Sequence, residues 1–157
     1  MDVMLRRATD ADMAIIMSWR SNPDVYAGNF YTQKKPLTWD EHKTWWESRN
    51  KDWREFIIEV TDCDLNVRPV GIVTVGQLDN YSPEIGYAIG ETSLWGKGIA
   101  SQAVWLVCEW LKQKEYRDVH TTILDKNVAS QKVCKKVGFK RVCDARDGES
   151  RWEKKLE

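Results

Sequence analysis

The residues best suited to chemistry lie around Leu94-Trp95-Gly96-Lys97-Gly98-Ile99-Ala100. Two glycines separated by a single residue let a chain turn tightly and bring its backbone close to a ligand. The segment before them, Glu84-Ile85-Gly86-Tyr87-Ala88-Ile89, reads as a strand. The segment after them repeats apolar residues at helical spacing, with Ala100, Ala103, Val104, Val107, Trp110 and Leu111 on one face. A helix opened in this way presents its first N–H groups without internal partners, at the positive end of its dipole. Phosphate or pyrophosphate suits such a turn, and so does an ordinary strand-to-helix connection with no ligand. A dinucleotide fingerprint is a weaker match. Ser101 stands where its third glycine belongs, and Asp118 falls at the start of a strand instead of its end.

A second polar stretch, Asn127-Val128-Ala129-Ser130, follows the strand-like run Val119 to Leu124 and leads through a short helix to Val137-Gly138-Phe139. Together the two stretches resemble the signature motifs of the GNAT superfamily of N-acetyltransferases, over about residues 84 to 140. The first motif of that family reads Arg/Gln-x-x-Gly-x-Gly/Ala; here Trp95 stands where Arg or Gln is usual. The second, Asn-x-x-Ser/Ala followed by Gly-Phe, is matched by Asn127, Ser130, Gly138 and Phe139. The wording Trp-Gly-Lys-Gly-Ile-Ala is similar to the branch containing the ribosomal-protein N-terminal acetyltransferases.

The resemblance implies acetyl-coenzyme A as co-substrate and a primary amine as acceptor, joined by direct attack in a ternary complex. It implies that Trp95, Gly96, Lys97, Gly98, Ile99, Ala100 and Ser101 surround the pyrophosphate, with Lys97 adding charge. The backbone of Ala88, Ile89 and Gly90 would pair with the pantetheine amides, and Asn127 would hydrogen-bond the same arm. Glu84 is the expected general base, with burial raising its pKa. Many family members carry a tyrosine four residues after the Ser130 position; Cys134 stands there, which leaves Ser130, Cys134 or no group at all as the acid. A non-catalytic acyl-coenzyme A sensor on the same fold is the alternative.

The elements that must position these groups follow from local pattern. Val3 to Arg7 reads as a strand, and Thr9-Asp10-Ala11-Asp12 as a helix start with Thr9 as N-cap. Ala11, Ile15, Ile16 and Trp19 form the apolar stripe of that helix, which ends before Pro23. Residues 24 to 37 read as irregular and aromatic. Thr38-Trp39-Asp40-Glu41 is a capping box that opens a helix to about Asn50. Strands are expected over Trp53 to Thr61, Val70 to Val75 and from Glu84, then over Val119 to Leu124. A helix from Ala129 to Lys136 should precede a hairpin turned at Asp147-Gly148, pairing Arg141–Arg146 with Glu149–Lys154.

This order predicts a single α/β (α+β) domain over residues 1–157, with a mixed sheet of six to seven strands and helices on both faces. The family resemblance implies in addition that the fourth and fifth strands splay apart around the pantetheine arm. Trp19-Arg20-Ser21-Asn22-Pro23-Asp24-Val25 and Thr38-x-x-Glu41-His42-x-x-Trp45 look like the branch acetylating amino groups of nucleotide-linked sugars. That likeness marks Trp19, Arg20, Asn22, Tyr26, Phe30, Tyr31 and Trp45 as the acceptor wall, and leaves a protein N-terminal amine and a small amine both open. His42 reads as a satisfied histidine, not a base.

Composition bounds the partners. Lys and Arg number 24 against 24 Asp and Glu, so no net field draws the chain to nucleic acid or an anionic membrane. No apolar run approaches a membrane span, the N-terminus lacks a signal-peptide pattern, and a cytoplasmic monomer or homodimer is expected. Cys63, Cys108, Cys134 and Cys143 lack metal-ligand spacing and read as free thiols, with no metal site expected.

Overall fold

A computed structural model describes residues 1–29, 33–49 and 52–157. Its sheet has seven strands in the order β1-β2-β3-β4-β5-β7-β6. They are β1 (Asp2–Arg7), β2 (Arg54–Thr61), β3 (Val67–Gly76), β4 (Glu84–Ile89), β5 (Asp118–Leu124), β6 (Lys140–Asp144) and β7 (Glu149–Lys155). The helices are α1 (Met13–Arg20), α2 (Pro23–Asn29), α3 (Trp39–Ser48), α4 (Ile99–Gln113) and α5 (Val128–Val137). β1 to β4 form an antiparallel meander, β4 and β5 run parallel, and β5-β7-β6 are antiparallel. The mixed sheet expected from the element order is present.

Period-two alternation divides the core between the two faces of the sheet. Ile85 and Ile89 of β4 pack with Val104, Val107 and Leu111 of α4 and Cys134 of α5. Ala88 of β4 and Ile72 of β3 pack with Ile16 and Trp19 of α1 and Val25 of α2. Roughly 1.5–3 kcal/mol attends full burial of each large apolar side chain, so these two clusters fix which way every β4 residue points. Among the described residues, no helix is long and apolar enough to cross a membrane.

Three local expectations are corrected. The irregular segment expected from residue 24 begins as a helix, α2. Asn22 Oδ1 accepts the Asp24 N–H at 3.0 Å, and Pro23 occupies a first helical position whose N–H needs no partner. Val25 and Tyr26 are therefore buried instead of lining an open aromatic loop. β3 begins at Val67, not Val70, because a bulge opposite Ile58/Glu59 accommodates Pro69 inside the strand. The β6–β7 loop is one residue longer than a two-residue turn. Ala145 N–H donates to Glu149 O, and only Gly148 of the Asp147-Gly148 pair is left-handed, at φ +78°. In β6 every side chain is exposed, as an edge strand beyond the reach of either helical layer.

Candidate functional site

The site forms where β4 and β5 part. They share a single register pair, Glu84↔His120, at the first residue of β4 and the third of β5. His120 N–H donates to Pro83 O at 3.0 Å, and Thr121 Oγ1 donates to Ile85 O at 2.8 Å. Beyond these bonds the strands diverge. A cavity of about 490 Å³ occupies the opening, bounded by Tyr87, Ala88 and Ile89 of β4, by Leu94, Trp95, Gly96 and Gly98 to Ser101, by Asp24 and Asn127, and by Ala129, Ser130, Lys132, Val133 and Lys136 of α5. The splay that the resemblance implied is thus visible in the strand register.

Strand alternation decides which backbone groups face the opening. Gly90 N–H bonds to Val70 O of β3, so its neighbour Ile89 points its N–H and C=O the other way, as do Tyr87 and Ile85. Of the three residues expected to pair with the pantetheine arm, only Ile89 directs its backbone to the cavity. Tyr87, which the sequence motifs do not mark, joins it. Ala88 and Gly90 bond back into β3. The Ile89 carbonyl is already engaged, accepting the Trp95 indole N–H at 2.9 Å. Trp95, in the place of the usual Arg or Gln, ties the glycine loop to the end of β4 and stays half-exposed at the cavity mouth.

The loop itself has the geometry its glycines allow. Gly96 and Gly98 sit at φ +80° and +79°, a region that disfavours any side chain. A Cβ on either would meet nothing within 4 Å, so the requirement is one of backbone shape, with open space above. Gly98 caps α4. The first N–H groups of the 15-residue helix α4 have no intrahelical acceptor and point to the loop end of the cavity. Lys97 is exposed. On the opposite wall, Asn127 Oδ1 caps α5 by accepting the Ser130 N–H at 3.0 Å.

Three neutral groups meet above β4. Tyr87 Oη lies 2.6 Å from Ser130 Oγ and 3.3 Å from Cys134 Sγ. Burial pushes the Tyr87 phenol well above its ordinary range and the Cys134 thiol up to about 11. Both groups are protonated throughout the neutral range. Cys134 is fully buried and is not among the cavity-lining residues; Tyr87 and Ser130 are. The sequence carried one sign of this. A tyrosine sharing a strand face with Ile85 and Ile89 must bury its ring and find a partner for its hydroxyl.

Glu84 lies at the closed end of β4, on the opposite sheet face from Tyr87, and is not among the cavity-lining residues. Its Oε2 accepts from Gln77 Nε2 at 3.0 Å and lies 3.4 Å from His120 Nε2. The His120 contact holds its carboxyl below the ordinary range, reversing the expected upward shift. Partial burial acts in the expected direction, but the hydrogen bond outweighs it.

The region expected to form the acceptor wall lies beyond the other face. Trp19 covers Gly90, where a Cβ would come within 2.0 Å of the indole, and donates to Glu91 Oε1 at 3.2 Å. The Arg20 and Arg49 guanidiniums lie 4.0 and 4.7 Å from the Trp45 ring on which they stack. Arg49 also pairs with buried Glu55, whose carboxyl burial pushes up to about 7 despite both arginines. His42 is buried and its Nε2 contacts Met13 O at 2.9 Å, joining α3 to α1. Tyr26 is buried, and Asn22 serves as a helix cap. Phe30 and Tyr31 lie outside the described residues.

Comparison with known proteins agrees with this geometry. Residues 2–140 match the family model described as Acetyltransferase (GNAT) domain. An uncharacterised protein of Methanocaldococcus jannaschii is 42% identical over 156 residues, covering 98% of this chain. The chain spans 31% of that relative's length. The crystal structure of a domain from the same organism, also 42% identical, superposes with a TM-score of 0.94 over 99% of both chains. A spermidine N-acetyltransferase from Vibrio cholerae, solved with CoA and spermine, shares the fold at 16% identity, with a TM-score of 0.82 over 98% of this chain and 95% of that one.

Proposed function

The chain belongs to the acetyltransferase (GNAT) domain family, and from that premise we propose that it transfers the acetyl group of acetyl-coenzyme A to a primary amine. The observation that carries this reading is the cavity between diverging β4 and β5, closed at one end by the glycine loop and the start of α4. A pyrophosphate at that end would meet the Gly96 to Ser101 backbone and the positive end of the α4 dipole. The pantetheine arm would lie along Tyr87 and Ile89, beside Asn127 and Ser130. The spermidine enzyme with this fold was solved with CoA and a polyamine, which fits a thioester donor and an amine acceptor.

Attack by the neutral amine forms a C–N bond at the thioester carbonyl, and the C–S bond then breaks. The backbone N–H of Tyr87 or Ile89 is the proposed donor to the oxyanion between those steps. The amine's proton leaves to water or, through water, to Glu84, whose carboxylate is kept ionised by its neighbours. The acceptor is either a protein N-terminal amine or a small amine such as an amino-sugar nucleotide, approaching over Arg20 and Trp45. Much of the rate would come from holding donor and acceptor in line.

The test is free-thiol release from acetyl-coenzyme A against N-terminal peptides, amino-sugar nucleotides, polyamines and aminoglycosides. Release dependent on one acceptor class is the expected result. A protein that fails to bind acetyl-coenzyme A would overturn the proposal, and one that binds it without turnover on any amine would return the sensor reading.

A further inference from the structure

We propose that the Tyr87 phenol is the hydrogen-bond donor that receives the departing coenzyme sulfur, with Ser130 positioning it. This rests on the acetyl-transfer reading above. Tyr87 stands in the open half of β4 and lines the cavity, on the same sheet face as α5. One turn of α5 presents Ser130 and Cys134 to its hydroxyl, at 2.6 Å and 3.3 Å.

A count of donors and acceptors shows what this arrangement leaves over. A phenol oxygen accepts two hydrogen bonds and donates one. Ser130 O–H and Cys134 S–H can both donate to Tyr87 Oη, filling its acceptor sites. The phenolic hydrogen then has only the Ser130 carbonyl, at a long 3.4 Å. It is therefore the donor best able to turn to a ligand in the cavity. Cys134 is not among the residues that line the cavity, so its contribution passes through Tyr87.

The chemistry requires such a donor. When the C–S bond breaks, its electron pair goes to sulfur, and the thiolate forms inside a largely apolar wall. An ordinary thiol has a pKa of about 8.5, so the thiolate leaves without immediate protonation if one strong hydrogen bond meets it. Water then supplies its proton as coenzyme A departs, and Tyr87 remains a phenol throughout. Burial supports that role, since it keeps the phenol from ionising.

Coenzyme A bound to the full chain provides a readout that needs no acceptor. Thiolate absorbance followed against pH gives the ionisation of the bound thiol in wild type, Tyr87→Phe and Ser130→Ala. A phenol donating to sulfur stabilises the thiolate, so the bound thiol should ionise about one pH unit lower in wild type than in Tyr87→Phe, a roughly tenfold effect. Ser130→Ala should give a smaller change. With an acceptor in hand, Tyr87→Phe should lower kcat by about 10- to 100-fold and leave KM for acetyl-coenzyme A within about twofold. Identical titrations in wild type and Tyr87→Phe, with coenzyme affinity intact, would overturn the inference alone. A larger effect in Ser130→Ala than in Tyr87→Phe would also overturn it, by moving the donor to the serine. Failure of wild type to bind coenzyme A would remove both this inference and the reading beneath it.

Discussion

The two ends of the β4–β5 pair are built from opposite chemistry. At the closed end, charged and ionisable groups interlock: Glu84 with His120 and Gln77, Ser82 with His120 and Asp118, and Asp118 with Lys155. At the open end the Tyr87, Ser130 and Cys134 side chains that meet above β4 are neutral, and the backbone supplies much of the hydrogen-bonding capacity. The lower end spends its polar groups on each other; the upper end holds Tyr87, the Ile89 N–H and the α4 terminus in reserve. A parallel pair that holds a single register pair and then separates needs a strong clasp at its junction, and the closed end supplies it.

Substitutions at the glycine loop and at Asp118 should therefore fail in different assays. The largest effect is expected at Gly98→Val, where a β-branched residue is forced to φ +79° beneath the proposed pyrophosphate. Coenzyme affinity should fall by roughly 100-fold or more, while folding stability drops by only about 1–2 kcal/mol. Calorimetric binding beside thermal unfolding separates the two, and an unchanged affinity would remove the loop from the site. Next comes Asp118→Asn, which weakens a buried acceptor for Lys155 and Ser82. It should cost about 1–3 kcal/mol in denaturant unfolding, with coenzyme affinity within about twofold. An equal loss in both would mean that the ends are not independent.

Glu84→Gln should reduce turnover by roughly tenfold at neutral pH with little change in coenzyme affinity. The same variant carries a pH signature. The Glu84 carboxyl titrates lower in the folded chain than unfolded, so its contribution to stability is present above the ordinary carboxylate range and is lost as pH falls through the folded value. The stability gap between wild type and variant should narrow on acidification below about pH 4.5, measured by urea unfolding across pH. A gap that widens would contradict the His120 pairing. The smallest effect belongs to Trp95→Phe. It frees the Ile89 carbonyl for the pantetheine arm as it loosens the loop, so coenzyme affinity should shift by no more than about fivefold.

How much of this could be read beforehand depends on the range over which each residue acts. Gly96, Gly98, Asn127 and Ser130 are bound to local turn and cap geometry, which spacing reveals directly. α2 was also local in principle, because Asn22-Pro23 is a cap followed by a favoured first helical residue; the aromatic content of the segment obscured it. Tyr87 is different. Its alternation with Ile85 and Ile89 indicated burial, but its partners are more than forty residues away on α5. The backbone direction of Ala88 and Gly90 likewise depended on the register with β3, and the pKa direction of Glu84 on a histidine one strand over. Pairing across strands, not local pattern, set what sequence spacing left open.

β6 has a consequence of another kind. With every side chain in water and one flank unpaired, its backbone bonds to β7 are the main force holding it. Little buried area is lost when it opens, so it should detach in local fluctuations well before the sheet unfolds. Deuterium would then enter the Lys140–Asp144 amides early and those of β3 late. Lys140, Arg141 and Asp144 along this border discourage a stray strand from adding to it, so the chain can leave its margin loose without inviting fibrils.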